Sequence, residues 1–389
     1  MYNFDKIIDR RNTGASKWDN LGKLYGREDL IPLWVADMDF PVSKAISEAL
    51  KRKVEHPVYG YTFLSDRYYE AVVGWMERRH KWKIEKDWIT YTPGVVPALS
   101  FCIKAFTKPG DKIIIQTPVY HPFYSVIEKN GRQLVKNPLK FEDGKYSMDY
   151  EDLEKKIDSK TKLLILCSPH NPVGRVWKKE ELERLADICM KNNILVVSDE
   201  IHFDIVYKGN EHTVFGSLSR EVMDRCVVLT APSKTFNIAG LKVSNAIISN
   251  GELREKYRLE MEKLHMSSPT VGGEDALIAA YNESEDWLED LLVYLEGNRD
   301  FLVDYIDERI PKLKAIKPEG TFLVWVDCSG LNMDHDELRD FFVNKCKVAL
   351  NDGKMFGDEG EKFMRFNIGC PRPLLREALE RIEQAVNMA

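Results

Sequence analysis

The sequence predicts an α/β protein built on a parallel sheet, and three observations carry that prediction. Four short runs, Lys112–Gln116 (KIIIQ), Leu163–Cys167 (LLILC), Leu195–Asp199 (LVVSD) and Val227–Ala231 (VVLTA), are almost wholly apolar, as strands covered on both faces are. Between the second and third, Lys179–Asn192 (KEELERLADICMKN) spaces its apolar residues as a helix does. Strand, helix and strand at that interval form a parallel crossover. Three of the runs open directly into polar loops, and the carboxyl ends of strands in such sheets face a ligand crevice.

In chain order, residues 1–45 are rich in turns and charge and too few to enclose a core. They are expected to pack on the C-terminal part or across a partner subunit. Residues 46–282 hold the four runs and read as a large domain. Then come a long helix at Glu285–Ile310, a strand at Phe322–Val326, a helix at His335–Lys345, a strand at Phe363–Asn367 and a helix at Leu374–Val386. This α+β stretch, 283–389, is expected to join 1–45 in a smaller second domain.

Composition narrows the function. Of 389 residues, 44% are apolar and 30% charged, a globular balance that excludes long disorder. The net charge is −6, with no long Lys/Arg cluster, which argues against nucleic-acid binding. No apolar run approaches bilayer length, and the opening MYNFDK lacks an apolar leader core, so a cytoplasmic protein without a membrane partner is expected. The seven cysteines are scattered, with no C-x-x-C pair, and the eight histidines are dispersed. Reduced core thiols and no metal site are expected.

The loops after the runs hold the candidate chemistry. Asp199, in Ser198-Asp199-Glu200-Ile201-His202, falls at the rim of the expected crevice; a helix cap or turn is the plain alternative. Lys234, in Pro232-Ser233-Lys234-Thr235-Phe236, stands just past a strand end. If buried there it sheds its proton more readily and becomes a nucleophile toward a carbonyl; on a surface loop it is an ordinary solvated charge. In Ser168-Pro169-His170-Asn171-Pro172-Val173-Gly174, two prolines and a glycine shape a sharp loop around the Asn171 amide, although a plain turn would read the same.

Together, the N-P-x-G loop, the strand-end Asp and the S-K-T loop resemble the pyridoxal-phosphate enzymes of the class I/II aminotransferase superfamily, over essentially the whole chain. The resemblance implies the fold type I architecture, a large domain with a mostly parallel seven-stranded sheet between helices and a smaller α+β domain. It implies pyridoxal 5'-phosphate as cofactor, Lys234 as the amine that joins its aldehyde and later moves the substrate α-proton, and Asp199 as partner of the pyridine nitrogen. Asn171 would meet the ring's phenolic oxygen, and Tyr120, in Thr117-Pro118-Val119-Tyr120, would stack on the ring. Gly94, Val95 and Val96, opening a helix, would offer N–H groups to the phosphate, with the Ser233 hydroxyl beside them. Arg365 would grip the substrate carboxylate in a bidentate fork.

Two positions depart from the superfamily's pattern. Where it has an arginine eight residues past the lysine, this chain has Lys242, which supplies charge without a planar fork. Where its aminotransferases commonly have tyrosine three residues past the Asp, this chain has His202, placed either near the cofactor or behind it.

The stretches Trp34–Pro41 (WVADMDFP), Val58–Thr62 (VYGYT), Ser198–His202 and Ser233–Gly240 resemble the carbon–sulfur β-lyases of the MalY/PatB type, which include cystathionine β-lyases and cystalysin-like desulfhydrases. That likeness implies α,β-elimination on cystathionine or S-substituted cysteines to thiol, pyruvate and ammonia. An aminotransferase is the alternative, because the two reactions share every step up to the carbanion. A homodimer with a shared active site is also implied, with Tyr61, preferred over Tyr59, reaching the neighbouring subunit's phosphate. Some members of the group make a regulatory protein contact, a second role open to this chain. Ala36, Tyr120, Asn171 and Arg365 would surround the substrate, and His121 adds a polar group there. Met355 and Phe356, within Gly353–Gly360, read either as a flap or as a surface loop.

Overall fold

The apolar runs pair into one seven-stranded sheet whose strands are β1 Ile89–Thr92, β2 Lys112–Thr117, β3 Gln133–Pro138, β4 Thr161–Cys167, β5 Leu195–Asp199, β6 Cys226–Thr230 and β7 Ser244–Ile247. The computed structural model describes residues 2–388; Met1 and Ala389, the ends of the two spans assigned above to the smaller domain, lie outside the described residues. Strand order is β1-β7-β6-β5-β4-β2-β3. Strands β2 to β6 are parallel, and β7 is antiparallel to both of its neighbours. Alternate residues face opposite sides of a strand: Ile113, Leu163, Ile165 and Val197 join one core cluster, while Ile114, Leu164, Leu166 and Val196 join another. The unbroken apolar runs follow from that double cover.

Helices clothe both faces. Those used below are α1 Asp66–His80, α2 Val95–Phe106, α3 Lys179–Lys191, α4 Gly273–Glu283, α5 Glu285–Arg309 and α6 Arg372–Met388. Helix α3 bridges β4 and β5 as its periodicity predicts. The run predicted at Val227–Ala231 forms a strand one residue earlier, because Ala231 already caps the single helical turn Pro232–Thr235. Similarly, His335–Lys345 is α-helical only to Asp340 and ends in a wider turn, Phe341–Lys345.

A second, antiparallel sheet follows, with β8 Lys314–Ile316, β9 Leu323–Asp327, β10 Asn351–Asp352 and β11 Phe363–Asn367 in the order β8-β9-β11-β10. The N-terminal segment takes the first of its two expected placements, against the C-terminal part. Ile31–Pro32 pairs in parallel with Val348–Ala349, Leu33 N donates to Ala349 O at 2.9 Å, and Leu33 O accepts from Asn367 N at 2.9 Å. From that seam the chain passes across the ends of the large sheet. All seven cysteines are free and buried. Among the described residues no helix is long and apolar enough to cross a membrane, and no group of His, Cys, Asp and Glu is arranged to hold a metal ion.

Candidate active site

Strands β4, β5 and β6 end side by side, and the loops that leave them enclose a cavity of about 190 Å³. Ala36, Gly94, Val95, Val96, Tyr120, Asn171, Asp199, His202, Ser233, Lys234 and Lys242 line it. These residues come from segments far apart in the chain, and the parallel sheet brings them together by aligning its carboxyl ends.

Lys234 leaves the turn Pro232–Thr235 and donates from Nζ to Ala36 O. Burial lowers its pKa to about 8, opposed by Asp37 and Asp199 and assisted by the positive charges of Arg365 and Lys242. About a tenth of the amine is therefore neutral at pH 7, against far less for an ordinary lysine, and the neutral form is the nucleophile. Asp199, at the tip of β5, is 3% exposed. Among the described residues its carboxylate takes one hydrogen bond, from Ile201 N at 3.1 Å to Oδ1. Burial pushes its pKa up to about 7, against the pull of that hydrogen bond and of Lys234. A buried carboxylate so thinly partnered suits a cationic N–H donor entering the cavity.

The Asn171 loop is shaped by close packing. Gly174 has φ +73°, and a Cβ there would lie 2.4 Å from Pro318 Cβ, so only glycine fits. Asn171 Oδ1 accepts from Arg365 Nη1 at 3.0 Å, which leaves the Nδ2 group as the donor available to the cavity. Arg365, 3% exposed, stands behind Asn171 rather than on the cavity lining. It also donates from Nη2 to Trp34 O at 2.9 Å and to Asn351 Oδ1, and its guanidinium lies 4.9 Å from the centre of the Phe356 ring. Burial lowers its pKa to about 10, and its Nε is buried without a partner. With Nη1 and Nη2 engaged by Asn171, Trp34 and Asn351, the bidentate fork expected of Arg365 is not free in this arrangement, and Nε is its unused donor.

Opposite lies the start of α2. Gly94 is its N-cap, and no side chain caps the free N–H groups there; a helix start open to a cavity receives anions. Ser233 and Lys242 flank it. Burial raises the Tyr120 pKa, so the phenol stays neutral. His202 is 3% exposed, lines the cavity, and has Nδ1 buried without a partner. Burial, then the charges of Lys234 and Arg365, hold its pKa well below the usual value, so the ring is neutral. His121 touches the edges of the Tyr120 and Phe356 rings, and burial lowers its pKa to about 4.

Tyr61 does not reach this cavity: it is fully exposed, as Tyr59 largely is. Within Gly353–Gly360, Phe356 is no surface residue, its side chain being fully buried and its carbonyl accepting from Val119 N at 2.8 Å and Tyr124 Oη at 2.6 Å, while Met355 beside it is exposed. Several participants went unread in the sequence. Cys167 lines the cavity and accepts from Asn171 N at 3.4 Å; reading it as core filler had only the spacing to go on. Asn351 orients Arg365 through a contact that no local pattern signals; Trp34 and Asp37 fall in the Trp34–Pro41 stretch that the sequence singled out, and the structure adds that Trp34 O accepts from Arg365 and that the Asp37 charge acts on Lys234.

The sequence model described as aminotransferase class I and II matches residues 28–382. The chain is 44% identical to cystathionine beta-lyase PatB of Bacillus subtilis (strain 168) over 386 residues, 99% of this chain and 100% of that protein. It superposes with a TM-score of 0.97 on cystalysin from Treponema denticola, whose crystal structure contains pyridoxal 5'-phosphate, at 40% identity over 100% of this chain and 99% of the other. A PLP-bound crystal structure from Clostridium difficile 630 gives a TM-score of 0.98 at 48% identity over the whole of both chains.

Proposed function

The chain belongs to the aminotransferase class I and II family, and from that premise we propose that it is a pyridoxal-phosphate-dependent carbon–sulfur β-lyase. Its substrates would be cystathionine or other S-substituted cysteines, split to thiol, pyruvate and ammonia. The observation that carries the reading is one cavity in which burial leaves the Lys234 amine partly neutral and the Asp199 carboxyl short of a cationic partner. The full-length likeness to a cystathionine β-lyase supports the choice of branch.

The residues present fit the cofactor. The Lys234 amine would hold its aldehyde carbon, Asp199 its ring nitrogen, Asn171 Nδ2 its phenolic oxygen, and Tyr120 a ring face. The N–H groups of Val95 and Val96 at the uncapped helix start, Ser233 and Lys242 would hold its phosphate. When bound, pyridoxal phosphate supplies a conjugated ring that takes up the electron pair left on the substrate α-carbon.

The chain's own groups choose what happens next. Lys234 Nζ, held in reach by its loop, would remove the substrate α-proton. Asp199 keeps a proton on the ring nitrogen by stabilising the cation. Arg365, steadied by Trp34 O, Asn351 and Asn171, presents Nε to the substrate carboxylate. With sulfur on the β-carbon, the pair left by the α-proton would form the Cα–Cβ double bond while the C–S bond breaks and sulfur departs with that bond's own pair as thiolate; hydrolysis of the released enamine would give pyruvate and ammonia.

The finer assignments extend the same proposal. We assign residues 46–282 to the large domain and 1–45 with 283–389 to the small one. The protein works as a cytoplasmic homodimer; Val58, Tyr59, Tyr61 and Phe63 form an exposed apolar stretch that a partner subunit would cover, with Tyr61 reaching the partner's phosphate site. The test is incubation of the purified holoenzyme with L-cystathionine alone. Pyruvate released without any oxo-acid acceptor is expected; no pyruvate, with the acceptor converted to its amino acid once one is added, would make the protein an aminotransferase.

A further inference from the structure

The turn after β5 carries two further buried carboxylates that the proposed reaction does not use, Glu200 and Asp204, and the second of them bears on the Lys234 turn. Asp204, with a fully buried side chain, faces away from the cavity and beneath the Lys234 turn. Its Oδ2 accepts from Thr235 Oγ1 at 2.6 Å. Its Oδ1 accepts from Trp75 Nε1 at 3.1 Å and pairs with His80 Nε2 at 2.7 Å. Both of those partners sit on α1 and are themselves fixed. Trp75 stacks on Tyr281 of α4, with ring centres 4.8 Å apart and planes 8° apart, and His80 stacks on Phe203 at 4.2 Å and 12°.

Pro232–Thr235 is a single helical turn, too short for helix packing to fix its rotation. Successive residues of such a turn diverge by about 100°, so Lys234 faces the cavity while Thr235, fully buried, faces the core. A rotation of the turn by about 10° would carry the end of a lysine side chain about 1 Å off its mark, and such misplacements cost rate heavily. We propose that Asp204 and Thr235 are positioning residues: the bond between them locks the rotation of the Lys234 turn against α1 and so aims the amine. The inference rests on Lys234 being the reactive amine of the function proposed above.

The experiment compares Thr235→Val, which keeps the shape and removes the hydroxyl, with Thr235→Ser, which keeps the hydroxyl, both in the full-length protein. Capture of added pyridoxal phosphate by cofactor-free protein is followed by visible absorption and by borohydride fixation at Lys234. Thr235→Val should slow capture about tenfold or more and lower kcat comparably while KM stays within about twofold; Thr235→Ser should stay within about threefold of wild type. Wild-type capture by Thr235→Val, or a Thr235→Ser variant as slow as Thr235→Val, overturns the proposal. If Thr235→Val does not fold, Asp204→Asn takes its place: slowed capture supports the proposal, and unchanged capture overturns it. Capture precedes any reaction of substrate, so the result stands whether the enzyme proves a lyase or an aminotransferase. Failure of the wild-type protein to capture the cofactor would overturn both the functional reading and this inference.

Discussion

Asp39 and Asp199 are each 3% exposed, yet their surroundings drive them in opposite directions. Around Asp39 the N-terminal segment gathers Lys17 Nζ at 2.5 Å, Arg10 Nη1 at 2.7 Å and Trp18 Nε1 at 2.9 Å. Burial alone would raise its pKa, but the charge and hydrogen bonds of Lys17, with Trp18 and Arg10, hold it below the usual value. Around Asp199 there is one backbone N–H and a cavity, and burial prevails. Equal burial therefore separates a structural carboxylate from a reactive one only when its partners are counted.

The largest effect that would sharpen this contrast is on stability. Asp39→Ala leaves the fully buried Lys17 without its closest counter-charge and should cost about 3–5 kcal/mol of unfolding free energy in cofactor-free protein. A loss below about 1 kcal/mol in denaturant titration would show that the cluster is not the support described here.

Asp199→Asn should act in the opposite sense. A carboxyl whose folded pKa is raised from its ordinary value to about 7 contributes its full stability below the unfolded value and loses it as pH climbs through the folded one. The variant should therefore be more stable than wild type by about 1–4 kcal/mol at pH 8, with the gain gone by pH 4. Its kcat as holoenzyme should fall by about 100-fold or more. Melting curves at the two pH values, read beside the kinetics, check both halves. Asp39, with its pKa depressed, has the reverse dependence: its contribution is present above the ordinary carboxylate range and fades as acid titrates it.

The smallest effect concerns the Lys234 amine, on which Asp37 and Asp199 act. With its pKa near 8, Lys234 should capture pyridoxal phosphate about tenfold faster at pH 9 than at pH 7 and change little beyond. Asp37→Asn removes a charge that favours the ammonium, so the midpoint should move to lower pH. A midpoint that stays put would detach Asp37 from the site.

Much of this was legible in the sequence because it is local. Asp199, Lys234 and Asn171 each lie within a few residues of an unbroken apolar run, and a strand covered on both faces can end only at a loop. The N-P-x-G loop and the S-K-T turn added the order that the superfamily shares. What escaped notice depends on chain segments that meet only after folding. Arg365 is held by Trp34 and Asn351, and Asp204 joins Trp75, His80 and Thr235; neither set has a spacing to read. Residues 1–45 looked unable to enclose a core because periodicity counts apolar residues, whereas this segment is organised around buried charge. The glycines at 353 and 360 suggested a loose surface loop, and the carbonyl bonds that bury Phe356 have no sequence signature.

The seam that joins Leu33 to Asn367 and Trp34 to Arg365 has a consequence for how the protein is made. On the ribosome, Leu33 and Trp34 must wait for a partner strand, Phe363–Asn367, that is translated long after them. Lys234 emerges between the two, its amine already made while that wall of its pocket is still missing. A product cut short before residue 363 would carry a reactive amine without the enclosure that selects what it meets, open to any stray aldehyde in the cell.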